Sequence, residues 1–221
     1  KYYFIAGEAS GDLQAAYLIK ELKLVDKNSS FRCFGGDLMQ AQGATIVKHY
    51  KELAFMGVED VIMNIRTIFK NIAFCKQDIK QFAPDVIVLV DYPGFNMKIA
   101  KWAKKNKVKV FYYISPKIWA WNQKRVYKIK KLIDKMFVIL PFEKEFYAKF
   151  NYKVDFVGHP LLDIISDKSK ISFNDFCKQH QLSNKPIIAL LPGSRKQEIS
   201  AMLSLMLTVT DKFKNYQFVI A

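Results

Sequence analysis

The sequence predicts an α/β fold, a doubly wound parallel sheet followed by the start of a second unit of the same kind. Three observations lead there. Short β-rich runs alternate with longer helical patterns along the 221 residues, the rhythm of repeated βαβ units. The run "DVIVLVD" (Asp85–Asp91) is continuously apolar between its acids, as a strand covered on both faces must be. Glycine-bearing turns at Gly7 and at Gly35-Gly36 follow strand-like runs directly, and in such sheets the loops after the strands face ligands.

The elements follow in order. Tyr2–Ala6 reads as a strand, Gly7–Asp12 as a turn, and a helix runs to about Lys23. Ser30–Phe34 is a second strand, and Asp37 can cap a short helix through Gln42. A helical pattern covers Val58–Phe82. After the Asp85–Asp91 strand, a helix over Lys98–Asn106 leads to the strand Lys107–Ser115. A helix over about Asn122–Ile133 precedes the strand Lys135–Pro141, Glu143–Phe150 is helical, and Tyr152–Val157 is a strand. Residues 1–160 therefore make one domain. The polar stretch Asp167–Lys185 reads as a linker with a short helix. "KPIIALLPGSRKQEI" then opens another strand-turn-helix unit, and "YQFVIA" reads as a strand. Two strands and two helices do not complete a doubly wound sheet, so 161–221 is expected to be a linker and the truncated start of a second domain.

Composition narrows the function. The chain is 51% hydrophobic, enough for a sizeable core, yet no apolar run reaches the ~20 residues of a membrane-spanning helix. The N-terminal residues lack the layout of a signal peptide. Cys33, Cys75 and Cys177 are far apart, without metal-ligand or redox spacing, and read as reduced thiols of a cytoplasmic protein. The formal net charge of +15 biases partners toward anions, namely nucleic acid, anionic lipid or a phosphorylated substrate. A solubilising lysine-rich surface is the plainer explanation of the same charge.

Five stretches carry chemistry. Gly7–Asp12 lets the backbone approach a ligand and supplies Glu8, Ser10 and Asp12, although Asp12 can equally be an N-cap. It lacks the dinucleotide spacing, and its acids suit a hydroxyl-bearing sugar better than a pyrophosphate. In "VDYPGFN" (Val90–Asn96), Asp91 stands at the mouth of the apolar strand, where partial desolvation makes a carboxylate a better general base. Satisfying turn amides is its alternative role. In "YISPKIWAWNQKR" (Tyr113–Arg125), Ser115-Pro116 breaks the strand, and Trp119 and Trp121 lie beside Lys117, Lys124 and Arg125. Such aromatics bind a base, a sugar face or a lipid headgroup, or merely pack. "LLPGSRKQE" (Leu190–Glu198) turns a strand into a helix through Gly193 and Ser194, and with Arg195 forms an anion site. It is not a P-loop. The Val58–Phe82 helix carries a wide apolar face including Ile65, Ile68, Phe69 and Ile72, flanked by cations. That face packs on the sheet or dips into an anionic membrane interface.

"GEASGD", "ELAFMGVEDV", "PDVIVLVDYPGFN", "YYISPKIWAW", "LPFEKEFY", "FVGHPLLD" and "LLPGSR" stand in the order found in one family. The chain resembles the lipid-A-disaccharide synthases across essentially its whole length. The resemblance implies an inverting glycosyltransferase of the glycosyltransferase-B fold, with a Rossmann-like acceptor-side domain followed by a donor-binding one. It implies a UDP-2,3-diacylglucosamine donor, a 2,3-diacylglucosamine 1-phosphate acceptor, and lipid A disaccharide 1-phosphate and UDP as products. Asp91 matches the catalytic aspartate, and Arg195 matches an arginine near the donor diphosphate, joined there by Ser194 and Gly193. Glu8, Ser10 and Asp12 match the loop facing the cleft, with Asn96, Ser115 and Trp119 assigned to the same acceptor cleft. No metal or other cofactor is implied. The family is cytoplasmic and peripheral on the inner membrane, expected here to be met through Ile65, Ile68, Phe69 and Ile72, and is dimeric at full length, with no nucleic-acid partner. Family members often carry an aspartate where this chain has Gly94, and a small or basic residue near Gln14. Two rivals share some of these features. A nucleotide-sugar epimerase of the same architecture needs no acyl-binding surface, so lipid dependence separates it. A nucleic-acid-binding module rests only on charge and aromatics and predicts a steep salt dependence.

Overall fold

The computed structural model describes residues 1–53, 65–166, 171–193 and 196–221. The start of the expected Val58–Phe82 helix, and both Ser194 and Arg195, lie outside the described residues. The chain divides into two compact units, Lys1–Ile165 and Ser166–Ala221.

The first unit is a seven-stranded sheet in the order β3-β2-β1-β4-β5-β6-β7, with every pairing parallel. Its elements are β1 (Tyr2–Ala6), α1 (Ala9–Val25), β2 (Phe31–Gly35), α2 (Asp37–Ala41), β3 (Thr45–His49), α3 (Ile65–Phe82), β4 (Val86–Val90), α4 (Pro93–Lys105), β5 (Lys109–Tyr113), α5 (Ile118–Trp121), α6 (Val126–Leu132), β6 (Lys135–Val138), α7 (Pro141–Ala148), β7 (Asp155–Phe156) and α8 (Leu161–Ser166). The doubly wound parallel sheet expected from the sequence is present. The order reverses between β1 and β4: from β1 the chain winds outward to β2 and β3, and from β4 it winds the other way.

Alternation along the central strands explains why both are apolar throughout. Tyr3, Ile5, Ile87 and Leu89 point to a core shared with Ile72, Cys75 and Ile79 of α3 and with Ile99 and Ala103 of α4. Phe4, Ala6, Val86, Val88 and Val90 point to the other face, against Ala15, Ala16 and Ile19 of α1. Side chains of a strand alternate between faces, so a strand between two helical layers has no side left for water. Each fully buried Leu or Ile contributes about 1.5–3 kcal/mol.

Several elements differ from the sequence expectation, among them a short helix at Ile118–Trp121, a following helix confined to Val126–Leu132, and a helix at Leu161–Ser166. Strand β3 was not foreseen; it is an edge strand, mostly half-buried. Helix α4 begins at Pro93 rather than Lys98, because proline at the first helical position is preset for the helix and loses no needed donor. Strand β7 shrinks from six residues to Asp155–Phe156, both exposed at the other edge.

The second unit contains α9 (Phe173–Gln179), a parallel pair β8 (Ile187–Leu190) and β9 (Gln217–Ile220), and α10 (Lys196–Leu207). Ser172 caps α9 by accepting from the Asp175 amide.

One buried ion pair ties α3 to the sheet. Asp78 of α3 accepts from Arg32 Nε at 2.8 Å, from Arg32 Nη2 at 2.6 Å and from the Tyr3 hydroxyl at 2.7 Å. Burial pushes the Asp78 carboxyl up, but Arg32 and Tyr3 outweigh it and hold it below its ordinary value. The resulting stability is complete above the usual carboxylate range of about 4 and is lost as pH falls through the lowered folded value. Arg32→Ala should cost about 3 kcal/mol, the lower end for breaking a buried pair, since Arg32 is itself partly exposed. With burial then weakly opposed, the folded Asp78 carboxyl rises toward or above its unfolded value, so its share of the acid limb should shrink and the deficit against the wild type should be largest at neutral pH and narrow as pH falls. Urea unfolding from pH 3 to pH 7 checks both effects, and an unmoved midpoint with an unchanged acid limb contradicts them.

Candidate active site at the reversal of the sheet

In a doubly wound sheet the crevice opens at the carboxyl ends of the strands where the order reverses. Here that place lies between β1 and β4. Ala6 and Val90 are register partners at the ends of the two strands, so Gly7-Glu8 and Asp91-Tyr92 leave the sheet side by side.

The backbone at this exit is strained. Asp91 has φ +42° and Tyr92 φ +46°, consecutive left-handed residues that cost about 1–3 kcal/mol each. Several contacts hold them. The Asp91 carbonyl accepts from the Tyr112 hydroxyl and from Asn96 Nδ2 at 2.7 Å. Burial, and then the Asp91 charge, keep the Tyr112 phenol well above its ordinary pKa, so it remains a donor. The Tyr92 hydroxyl donates to the Leu53 carbonyl at 3.1 Å, and its ring stacks on Phe95 at 5.6 Å. Gly7 makes room for that ring, since a Cβ there would stand 2.3 Å from Tyr92 Cγ.

Asp91 is half-buried. Burial is the largest influence on its carboxyl and Glu8 the next; both raise its pKa. Lys117 and the Tyr92 amide pull the other way, and the net result lies above the ordinary value. A carboxylate so placed is a better proton acceptor than one in water. Glu8 and Ser10 are exposed beside this exit at the start of α1.

A profile of the lipid-A-disaccharide synthetase family matches residues 2–220. The chain belongs to the lipid-A-disaccharide synthase family. Curated lipid-A-disaccharide synthases from Coxiella burnetii (strain Dugway 5J108-111) and Geobacter metallireducens are similar to it, at 43% identity over 203 residues and 40% over 221. The alignments cover 91% and 98% of this chain but 54% and 57% of those proteins. The chain thus spans a little over half the length of these relatives. Among solved structures, the UDP-GlcNAc 2-epimerase of Neisseria meningitidis, bound to UDP-GlcNAc, superposes with a TM-score of 0.67 at 13% identity, covering 99% of this chain and 65% of that one. The S. aureus MnaA-UDP co-structure gives 0.69 at 14%, covering 99% and 61%. At such identities the likeness is one of fold.

Not every residue that the lipid-A-disaccharide synthase motifs nominate faces the crevice. Asp12 is 3% exposed and accepts from the amides of Gly36, Leu38 and Met39 at 2.8, 3.1 and 3.2 Å. It caps α2, so it is corrected from acceptor ligand to structural anchor. Asn96 is fully buried and spends its Nδ2 on backbone carbonyls, so it positions Asp91 rather than meeting an acceptor. Ser115 is buried and donates to Glu143, whose other oxygen accepts from the Leu140 amide at 3.0 Å at the start of α7. Trp119 is half-buried, edge-on to Phe142 at 4.9 Å, while Trp121 is the exposed one, with Arg125 4.2 Å over its ring. Ile72 belongs to the core and Ile68 packs partly against it, because residues 68, 72, 75 and 79 form the inward stripe of α3. Only Ile65 and Phe69 of the proposed membrane face are exposed, at 49% and 54%. Gly193, in the second unit, has φ +114°; Ser194 and Arg195 lie outside the described residues.

Sequence reasoning passed over Glu143 and Tyr112. Glu143 carried a usable signal, since in "LPFE" a glutamate stands three residues after the residue preceding a helix-starting proline. Tyr112 carried none.

Gly7→Ala should lower stability by about 1–3 kcal/mol through overpacking, and most of that cost should vanish in a Tyr92→Ala background. Unfolding free energies of the double-mutant cycle check this; equal costs in both backgrounds contradict the contact.

Proposed function

We propose that the protein carrying this chain transfers the diacylglucosamine of UDP-2,3-diacylglucosamine to 2,3-diacylglucosamine 1-phosphate. The observation that carries this reading is Asp91, a carboxyl with a raised pKa beside Glu8 at the reversal of the sheet. Asp91 accepts the proton of the acceptor 6-hydroxyl as its oxygen attacks the donor anomeric carbon. The bond to UDP breaks, and UDP leaves with the electron pair. Proton removal during attack is worth about 10²–10⁴-fold. Glu8 and Ser10, exposed at the same exit, bind acceptor hydroxyls. The donor diphosphate is assigned to Gly193, Ser194 and Arg195, on the donor-binding side of the sequence.

The acylated substrates and the +15 charge favour work at an anionic inner-membrane surface. No helix among the described residues is long and apolar enough to cross a membrane, so contact would be peripheral, through Ile65 and Phe69 with the cations around them. A dimer is proposed for the full-length protein by resemblance to its family.

Asp91→Asn, in a protein of the relatives' length, should lower kcat about 10²–10⁴-fold with its melting temperature nearly unchanged. The rate should fall on the acid side as Asp91 protonates, with a midpoint above the ordinary carboxylate value. Glu8→Gln removes a charge that disfavours ionised Asp91, so that limb should shift to lower pH. The profile of kcat/KM against pH reads both, and wild-type turnover in Asp91→Asn assigns the proton to another group.

A further inference from the structure

A cavity of about 200 Å³ opens beside the start of α4, lined among others by Gly94, Lys98, Pro116, Arg125 and Lys128. We propose that it is a subsite for a phosphate monoester, the one carried by the acceptor sugar; this deepens the transferase reading above and rests on it.

Three observations converge. Three of the lining residues are cations and none is acidic, and no ion pair engages those cations among the described residues. Two of them are held in place by aromatic faces, Lys98 Nζ 4.6 Å from the Phe69 ring and Arg125 4.2 Å from the Trp121 ring, which limits the ordering cost of using them. At Gly94 a Cβ would meet nothing within 4 Å, so the cavity is open where the helix begins.

Size and position select the ligand. Pockets for drug-sized ligands start at about 300 Å³; this one is smaller, and it suits a single phosphate rather than a sugar nucleotide. It also lies near the base in the chain. Pro93, in its lining, is two residues from Asp91, and Lys117, next to Pro116, acts electrostatically on the Asp91 carboxyl. A sugar with its hydroxyl at Asp91 and its phosphate in the cavity would be held at two points, which fixes which hydroxyl reaches the base.

Glucosamine 1-phosphate, glucosamine and UDP titrated separately into the chain, followed by calorimetry, test this. The expected result is binding of the sugar phosphate but not of glucosamine. Affinity should fall about 10- to 100-fold in Lys98→Gln/Arg125→Gln, as expected for lost hydrogen bonds to a charged group, with melting temperatures unchanged as the folding control. Glucosamine binding as well as its phosphate, or variants binding like the wild type, overturns the subsite. UDP competing at the same cavity with equal strength overturns the assignment to the acceptor in favour of the donor. Turnover separates this from the parent reading. A full-length protein that transfers sugar with an unmoved acceptor KM in Lys98→Gln/Arg125→Gln loses only the subsite. A protein that binds the sugar phosphate there but transfers nothing loses the transferase reading, and with it the assignment to an acceptor.

Discussion

Two adjacent left-handed residues, Asp91 and Tyr92, set the geometry on which the candidate site depends. A strand that continued straight from Val90 would carry the Asp91 carboxyl past the crevice. The left-handed pair bends the chain at once into α4, so the carboxyl stays at the strand mouth beside Glu8. This costs about 2–6 kcal/mol for the two residues together, a large part of the 5–15 kcal/mol stability of a typical domain. Two hydrogen bonds to the Asp91 carbonyl return about 1–3 kcal/mol, which does not suffice alone. The balance comes from burial of the Tyr92 and Phe95 rings, at about 1.5–3 kcal/mol for a fully buried large side chain. The Tyr92 part of that burial exists only because position 7 is glycine.

The rest of the first unit serves as a frame for that bend. β1 and β4 are apolar on both faces because helices cover both, and their register brings Gly7 beside Asp91. Asp12, Asn96 and Glu143 are buried acids or amides that tie loop backbones together at the carboxyl end of the sheet. They hold still the loops that a substrate would touch, and this rigidity is what allows a strained carboxylate to keep its position.

The fold was legible because burial on two faces leaves an unbroken apolar run, as in Val86–Val90, and alternation with helical patterns implies parallel connections. Edge strands were less legible: β3 and β7 are half-exposed or exposed, so their patterns merge with those of loops. At the candidate site, the position of Asp91 at the strand mouth was legible from its place after an apolar strand. Asp12 and Ser115 were misplaced because a polar residue near a strand end looks the same whether it faces a ligand or a backbone amide. The partners that decide the matter are 24 residues away for Asp12 and 28 for Ser115, beyond what local pattern carries. Ile72 was misplaced because a wide apolar stripe does not reveal where the core ends and the surface begins.

The central claim is that the fold makes Asp91 a weaker acid than a carboxyl in water. A ¹³C NMR titration of the side-chain carboxyls, with the Asp91 resonance assigned by its loss in Asp91→Asn, measures this directly. The account predicts a midpoint clearly above the ordinary aspartate value of about 3.9. A midpoint at or below that value would contradict it, and would make Asp91 a residue that only satisfies the turn.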